Sequence, residues 1–145
     1  MKTAMKALTV TILLLLSQGL IAGELSVVVK GITTPEGTLM VGIFDSKKTF
    51  KKDAIDQSTK DAVIEAGEMT IVVKDLKPGI YAFIAFHDLN ENLTCDIGKW
   101  GIPTEPVAFS NEPKMRFGPP SFKACSFTVT DETPVKLEVT LQSRK

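Results

Sequence analysis

The sequence predicts an all-β, antiparallel β-sandwich with one long ordered loop. Three observations carry that expectation. Apolar side chains recur at every second position in six segments. Clusters of Pro and Gly stand between the segments. Residues 80–86 are apolar on both faces, the mark of a central strand covered on two sides.

The first strand is read from Leu25, Val27 and Val29, alternating with Glu24, Ser26 and Lys30 and broken only by Val28. In the second, Leu39, Val41 and Ile43 alternate with Thr38, Met40, Gly42 and Phe44. The third is the short β-branched run at 69–73, and the fourth is 80–86. Cys125, Phe127 and Val129 make the fifth, and Val135, Leu137, Val139 and Leu141 the sixth. Thr34-Pro35-Glu36-Gly37 fits a hairpin turn between the first two strands. Lys77-Pro78-Gly79 turns the third into the fourth, and Asp131-Glu132-Thr133-Pro134 joins the last two. Gly supplies positive φ and Pro presets φ near about −65°, which is why both interrupt strands.

Two stretches break the alternation. Residues 45–68 are polar and lysine-rich; Asp45 or Ser46 is placed to cap a short helix containing Phe50, and residues 61–66 read as a further short turn or strand. Residues 88–122 are long for a loop in so small a domain. They carry Trp100, Phe109, Phe117 and Phe122 among five prolines, and disordered segments are poor in aromatics. An ordered excursion packed on the sandwich is expected.

The N-terminal end reads as a secretion signal. Lys2 and Lys6 precede an apolar run at 7–16, and small residues lead to Ala22 and Gly23, the expected cleavage points. The run is shorter than the roughly 20 apolar residues that span a bilayer, and no later segment is long and apolar enough to do so. No Cys follows the cleavage point to take a lipid. The division expected is therefore a signal peptide at 1–23 and one domain at 24–145, working in the periplasm or secreted. Lys+Arg and Asp+Glu are 17 each, and loss of Lys2 and Lys6 leaves a slight acidic excess. Neither nucleic acid nor an anionic membrane surface is indicated as partner.

Few residues are candidates for chemistry. Asp88, Asn90, Asn92, Thr94 and Asp96 place side-chain oxygens at alternate positions, as the opening of a Ca²⁺ loop does. Leu93 and Lys99 stand where such a loop has Gly and a bidentate Glu, and an Asx-rich turn bonding its own backbone is the plainer reading. His87, the single histidine, has the chemistry of an acid–base catalyst but no nucleophile motif beside it. Adjacent strand residues point to opposite faces, so His87 and Asp88 are not expected to meet. His87, Trp100, Phe109 and Phe117 are the candidates for a ligand-binding face, with a plain aromatic cluster under the loop as the alternative. Asn92-Leu93-Thr94 is formally a glycosylation acceptor. Cys95 and Cys125 suit a disulfide in an oxidising compartment; closing about 31 residues contributes roughly 3.6 kcal/mol in the chain-entropy model. Two separate thiols, with Cys125 filling core space, is the alternative.

A string of motifs runs through the excursion: Phe86-His87-Asp88-Leu89-Asn90-Glu91-Asn92, Gly101-Ile102-Pro103-Thr104-Glu105, Phe109-Ser110-Asn111, and Gly118-Pro119-Pro120-Ser121-Phe122. With Gly79-Ile80-Tyr81-Ala82, Gly37-Thr38-Leu39 and residues 41–44 upstream, the chain resembles the exported bacterial family called "domain of unknown function 2141". The resemblance implies an immunoglobulin- or transthyretin-like β-sandwich, bacterial export and no established activity. The family's usual loop reads His-Asp-x-Asn-x-Asn-Gly-x-x-Asp; His87, Asp88, Asn90, Asn92 and Asp96 match it, and Leu93 replaces its glycine. The Cys95 and Cys125 pair lies outside that pattern.

Together these readings favour a non-catalytic binding or accessory module whose structured face is 88–122, acting on an unidentified ligand or envelope partner. The alternatives are a calcium-stabilised structural domain and a hydrolase using His87 with Asp88 or Asp96.

Overall fold

The computed structural model describes residues 23–52, 60–62, 66–115 and 118–143. The signal peptide expected at 1–23 therefore lies outside the described residues except for Gly23, as does Phe117.

Alternating apolar positions become strands where they were expected. Strand β1 (Leu25–Ile32) and β2 (Thr38–Phe44) are followed by the short β3 (Lys60–Ala62), then β4 (Gly67–Val73) and the long β5 (Gly79–Asp88). Beyond a 3₁₀ turn at Lys99–Gly101 come β6 (Val107–Phe109), a single helical turn α1 (Phe122–Cys125), β7 (Ser126–Val129) and β8 (Val135–Thr140). One sheet has the order β4-β1-β8. The other runs β3-β2-β5-β6, with β7 also on β5. Ala82 faces Phe44 on one side and Ser126 on the other, while Ile84 faces Gly42 and Phe109. Strands β6 and β7 thus share the edge of β5 that β2 does not occupy. Among the described residues no helix is long and apolar enough to cross a membrane.

The sandwich is as expected, but its wiring differs in two respects. The three Pro/Gly turns do not close hairpins. Each carries the chain from one sheet to the other, because β1, β4 and β8 lie in one layer and β2, β5 and β7 in the other. Turn residues specify a reversal, not the layer the next strand joins. Gly37, at φ 79°, sits so close to β5 that a Cβ would collide with the Asp88 carbonyl. That close approach, not a two-residue hairpin, is what its glycine serves. The second difference is that β1 and β8 pair in parallel, Leu25 opposite Val135 through Lys30 opposite Thr140. Parallel neighbours need a long crossover, and here the rest of the domain is the crossover.

The two sheets bury the alternating set between them. Leu25, Val27, Val29, Ile71 and Val139 from one layer meet Leu39, Ile43, Phe83 and Ala85 from the other. The odd-numbered positions of β5 face this core. Its even-numbered positions belong to a second cluster on the far side of the sheet, where Ala82 joins Phe44, Phe50, Val107, Phe109 and Cys125. The reading of 80–86 as covered on both faces is met in part: Ala82 is buried on the far side, Ile84 and Phe86 are half-buried, and Ile80 is exposed.

Residues 45–52 make a capped turn instead of a helix. The Phe50 amide donates to the Ser46 carbonyl at 3.0 Å, and the Ser46 hydroxyl accepts from the Thr49 amide at 3.4 Å. Lys51, at φ 65°, ends it. The Phe50 ring meets Phe44 edge-on at 5.4 Å and Phe122 at 5.7 Å. The helical turn α1 is capped by Ser121, whose hydroxyl accepts from the Ala124 amide, so Cys125 closes that turn and the fifth predicted strand begins one residue later.

Candidate functional site

The outer face of the five-stranded sheet is floored by Met40, Gly42 and Phe44 of β2, Ile84 and Phe86 of β5, and Val107 and Phe109 of β6. Period two puts these side chains on one face. The 45–52 turn contributes Lys51 and Lys52 as one wall. The excursion contributes Leu93, Thr94, Cys95, Ile97, Gly101 and Pro103 as another. Between them lies a mainly apolar groove of about 510 Å³, within the range of about 300–1,000 Å³ usual for small-ligand sites.

The Asn-rich segment forms a crown at the Met40 end. Strand register places Thr38 opposite Asp88 and Met40 opposite Phe86, so the crown begins two residues beyond the groove floor. Asp88 is buried, and its two carboxylate oxygens accept from the amides of Asn92 (3.2 Å) and Leu93 (2.8 Å). The side-chain amides of Asn90 and Asn92 donate to Asp96 at 2.7 and 3.0 Å. Buried Glu105 takes the Leu89 amide on one oxygen (3.0 Å) and the Asp96 amide on the other (3.1 Å). The Asn92 carbonyl oxygen accepts from both the amide and the hydroxyl of Thr94, each at 2.9 Å. The five expected ion-site residues do come together; N–H and O–H donors reach the side-chain oxygens of Asp88, Asn90, Asn92 and Asp96, and the Thr94 hydroxyl is itself one of those donors. Leu93 takes φ 65°, the left-handed conformation that the family's glycine reaches without strain. Among the described residues no group of three His, Cys, Asp or Glu side chains is arranged to hold a metal ion.

The other expected site residues disperse. His87 is fully buried on the inner face, with Nε2–H donating to the Glu36 carbonyl at 2.6 Å and Nδ1 buried without a partner. Asp88 points to the opposite face of β5, as alternation requires. Phe109 lies in the groove floor. Trp100 is 92% exposed at φ 66°, on the tip of the excursion and outside the groove lining. The disulfide expected between Cys95 and Cys125 is not formed; both are free thiols. Cys125 fills space in the apolar cluster, the alternative weighed above, and Cys95 lies on the groove wall. Burial pushes both thiols up to about 11; the carboxylates of Glu105, Asp96 and Asp88 add to this for Cys95, and Lys51 partly offsets it for Cys125. Both stay protonated near neutral pH and are poor nucleophiles.

Three residues outside the sequence-based candidates organise the site. Glu105 ties both ends of the crown. Buried Ser110 accepts from the Phe83 amide at 3.0 Å and donates to the Cys125 carbonyl, joining β5, β6 and α1. Lys51 lies over the Phe50 ring at 4.8 Å and donates to the Pro120 carbonyl at 2.6 Å. Glu105 and Ser110 stand in the motifs Pro103-Thr104-Glu105 and Phe109-Ser110-Asn111, but no periodic pattern marks either as buried. Lys51 carries no local signal at all.

No curated protein and no solved structure matches this chain. Residues 27–137, well over half of the chain and the span from β1 into β8, match a family described as "Uncharacterized protein conserved in bacteria (DUF2141)", and the chain belongs to that family.

Proposed function

We propose that the protein is an exported, non-catalytic binding or accessory module of the bacterial envelope, with the groove beneath the 88–122 excursion as its binding face. The observation that carries this reading is the groove itself. A sheet face that continues the core pattern is roofed on only part of its area, leaving an apolar recess of about 510 Å³. A non-catalytic role is supported by His87, whose ring is sealed between the sheets with one nitrogen tied to a backbone carbonyl. The nearest carboxylate in sequence, Asp88, is engaged by two amides on the other face.

Export is supported by the order of charged, apolar and small residues at 1–23. Cleavage after Ala22 is the better of the two junctions. It leaves Gly23, whose carbonyl accepts from the Leu76 amide at 3.0 Å and whose lack of a Cβ permits that approach. N-terminal sequencing of the exported protein is expected to start at Gly23; a start at Met1 overturns export by cleavage.

Binding is tested with N-phenyl-1-naphthylamine, a neutral apolar dye that brightens on leaving water. The purified protein is expected to enhance its emission saturably, and Gly42→Leu, which fills the floor of the groove, to abolish the effect. No enhancement, or enhancement unchanged by Gly42→Leu, overturns the groove as the binding face. A broad hydrolase screen in which His87→Ala removes a turnover activity overturns the non-catalytic reading.

A further inference from the structure

The groove is unlike at its two ends. Along β2 its floor runs from Met40 to Phe44, four residue rises or about 13 Å. Beyond Met40 stands the crown, with the carboxylates of Asp88, Asp96 and Glu105. Their fields reach Cys95 on the groove wall and help raise its thiol. Beyond Phe44 the chain turns and returns Lys51 and Lys52 to the groove. Among the described lining residues the Phe44 end thus carries two lysines, while the Met40 end adjoins the carboxylates of the crown, with hydrocarbon between them.

Lys51 is held where it is. Its ammonium spans the Phe50 ring and the Pro120 carbonyl, which uses one of three donor protons. Among the described residues no carboxylate pairs with it, the ion pair found there being Lys30 with Glu138 on the other sheet. Partial burial lowers its pKa, and the nearby Cys125 thiol offsets part of that. A fixed cation that no carboxylate pairs with among the described residues, at one end of an apolar trough, suits an anionic head group. At mid-floor Gly42, opposite Ile84, contributes no side chain to the trough.

We propose that the groove binds a single-chain anionic amphiphile of the fatty-acid class, with its hydrocarbon laid along β2 and β5 over Gly42 and its carboxylate at Lys51. The orientation follows from the polarity of the groove, since the opposite placement would set the carboxylate against the crown. This proposal rests on the groove being the binding face and adds the chemistry of its occupant.

Calorimetric titration of the purified protein with decanoate, octanoate, 1-decanol and decyltrimethylammonium, below their aggregation concentrations, tests it. Decanoate is expected to bind about tenfold tighter than decanol, and decyltrimethylammonium weakest. Octanoate, two methylenes shorter, is expected to bind about fifteenfold more weakly than decanoate, since each buried methylene is worth about fourfold. Lys51→Gln, which keeps a donor for Pro120, is expected to weaken decanoate about tenfold and decanol less than twofold. In the nuclear magnetic resonance spectrum, cross-peaks are expected between the decanoate chain and the Met40 methyl group, a readout that needs no variant.

Equal affinity for decanoate and decanol, or an unchanged decanoate affinity in Lys51→Gln, overturns the anionic preference while dye binding blocked by Gly42→Leu leaves the binding face standing. Cross-peaks to Met40 absent at saturating decanoate overturn the placement. Failure of both dye and amphiphiles removes the two readings together. Sedimentation showing a dimer that Gly42→Leu disperses and decanoate does not assigns the groove to a second copy instead.

Discussion

The two sheets turn very different outer faces to their surroundings, although both alternate with period two. On the three-stranded sheet the outward positions are Ser26, Val28 and Lys30 of β1, Thr70 and Val72 of β4, and Lys136 and Glu138 of β8. Val72 is nearly half exposed, and Lys30 and Glu138 form a surface ion pair at 2.7 Å. On the five-stranded sheet the equivalent positions are Phe44, Ala82, Ile84, Phe86, Val107 and Phe109, and a second core is built on them. The contrast teaches that this small domain spends its one long connection on covering half of a sheet. The groove is the part of that apolar face which the cover does not reach.

Substitutions on the two faces sharpen the contrast most. Phe44→Ala, at a buried position touching Phe50, is expected to cost about 3–5 kcal/mol in urea unfolding. Val72→Ala on the open face is expected to stay within about 0.5 kcal/mol. Similar losses at both sites would dissolve the distinction. Next in size is Glu105→Ala, which strands the Leu89 and Asp96 amides and is expected to cost about 3 kcal/mol. Hydrogen exchange should locate that loss at residues 88–96, and Glu105→Gln, which keeps one acceptor oxygen, should recover about half of it.

Smaller effects come from the thiols, which belong to the covered face alone. Burial raises both from the usual 9.0 to about 11, so unfolded chains release these protons before folded ones do. Their favourable contribution is complete below about pH 9 and is lost as pH rises toward 11. Equilibrium unfolding across that window should show stability falling with pH, and a Cys95→Ala/Cys125→Ala double variant should show a flatter profile. Smallest of all is the response to calcium. With its oxygens engaged by N–H and O–H donors, the crown is expected to melt within about 1 °C of the same temperature in millimolar Ca²⁺ and in chelator. A rise of several degrees would show that the ion displaces those donors.

Much of the sandwich was legible in the alternation of β1, β2, β5 and β8, because a half-buried strand must repeat every two residues. The apolar doubling at 80–86 even announced a second covered face. Sheet membership was not legible. Thr34-Pro35-Glu36-Gly37 states that the chain reverses, and only packing against Asp88 decides that it also changes layer. The three-residue β6 was hidden inside the excursion, since Val107, Ala108 and Phe109 are too few to display a period. At the site, the Asn-rich crown was visible because its donors and acceptors are local in sequence. The groove was not, because its floor comes from three strands and its cation from a turn far from the crown. Trp100 drew attention by residue type, yet it stands in solvent, whereas Gly42 and Lys51 shape the recess through an absent side chain and a left-handed turn.

The parallel pairing of β1 with β8 has a consequence for biosynthesis. Strand β1 is flanked on one side by β8, which is made long after it, so a chain lacking β8 carries Leu25, Val27 and Val29 without that part of their cover. Contacts between such distant positions form late and slowly. Completion of the three-stranded sheet therefore waits for β8, and a product stopped before Val135 leaves β1 with an open, aggregation-prone edge.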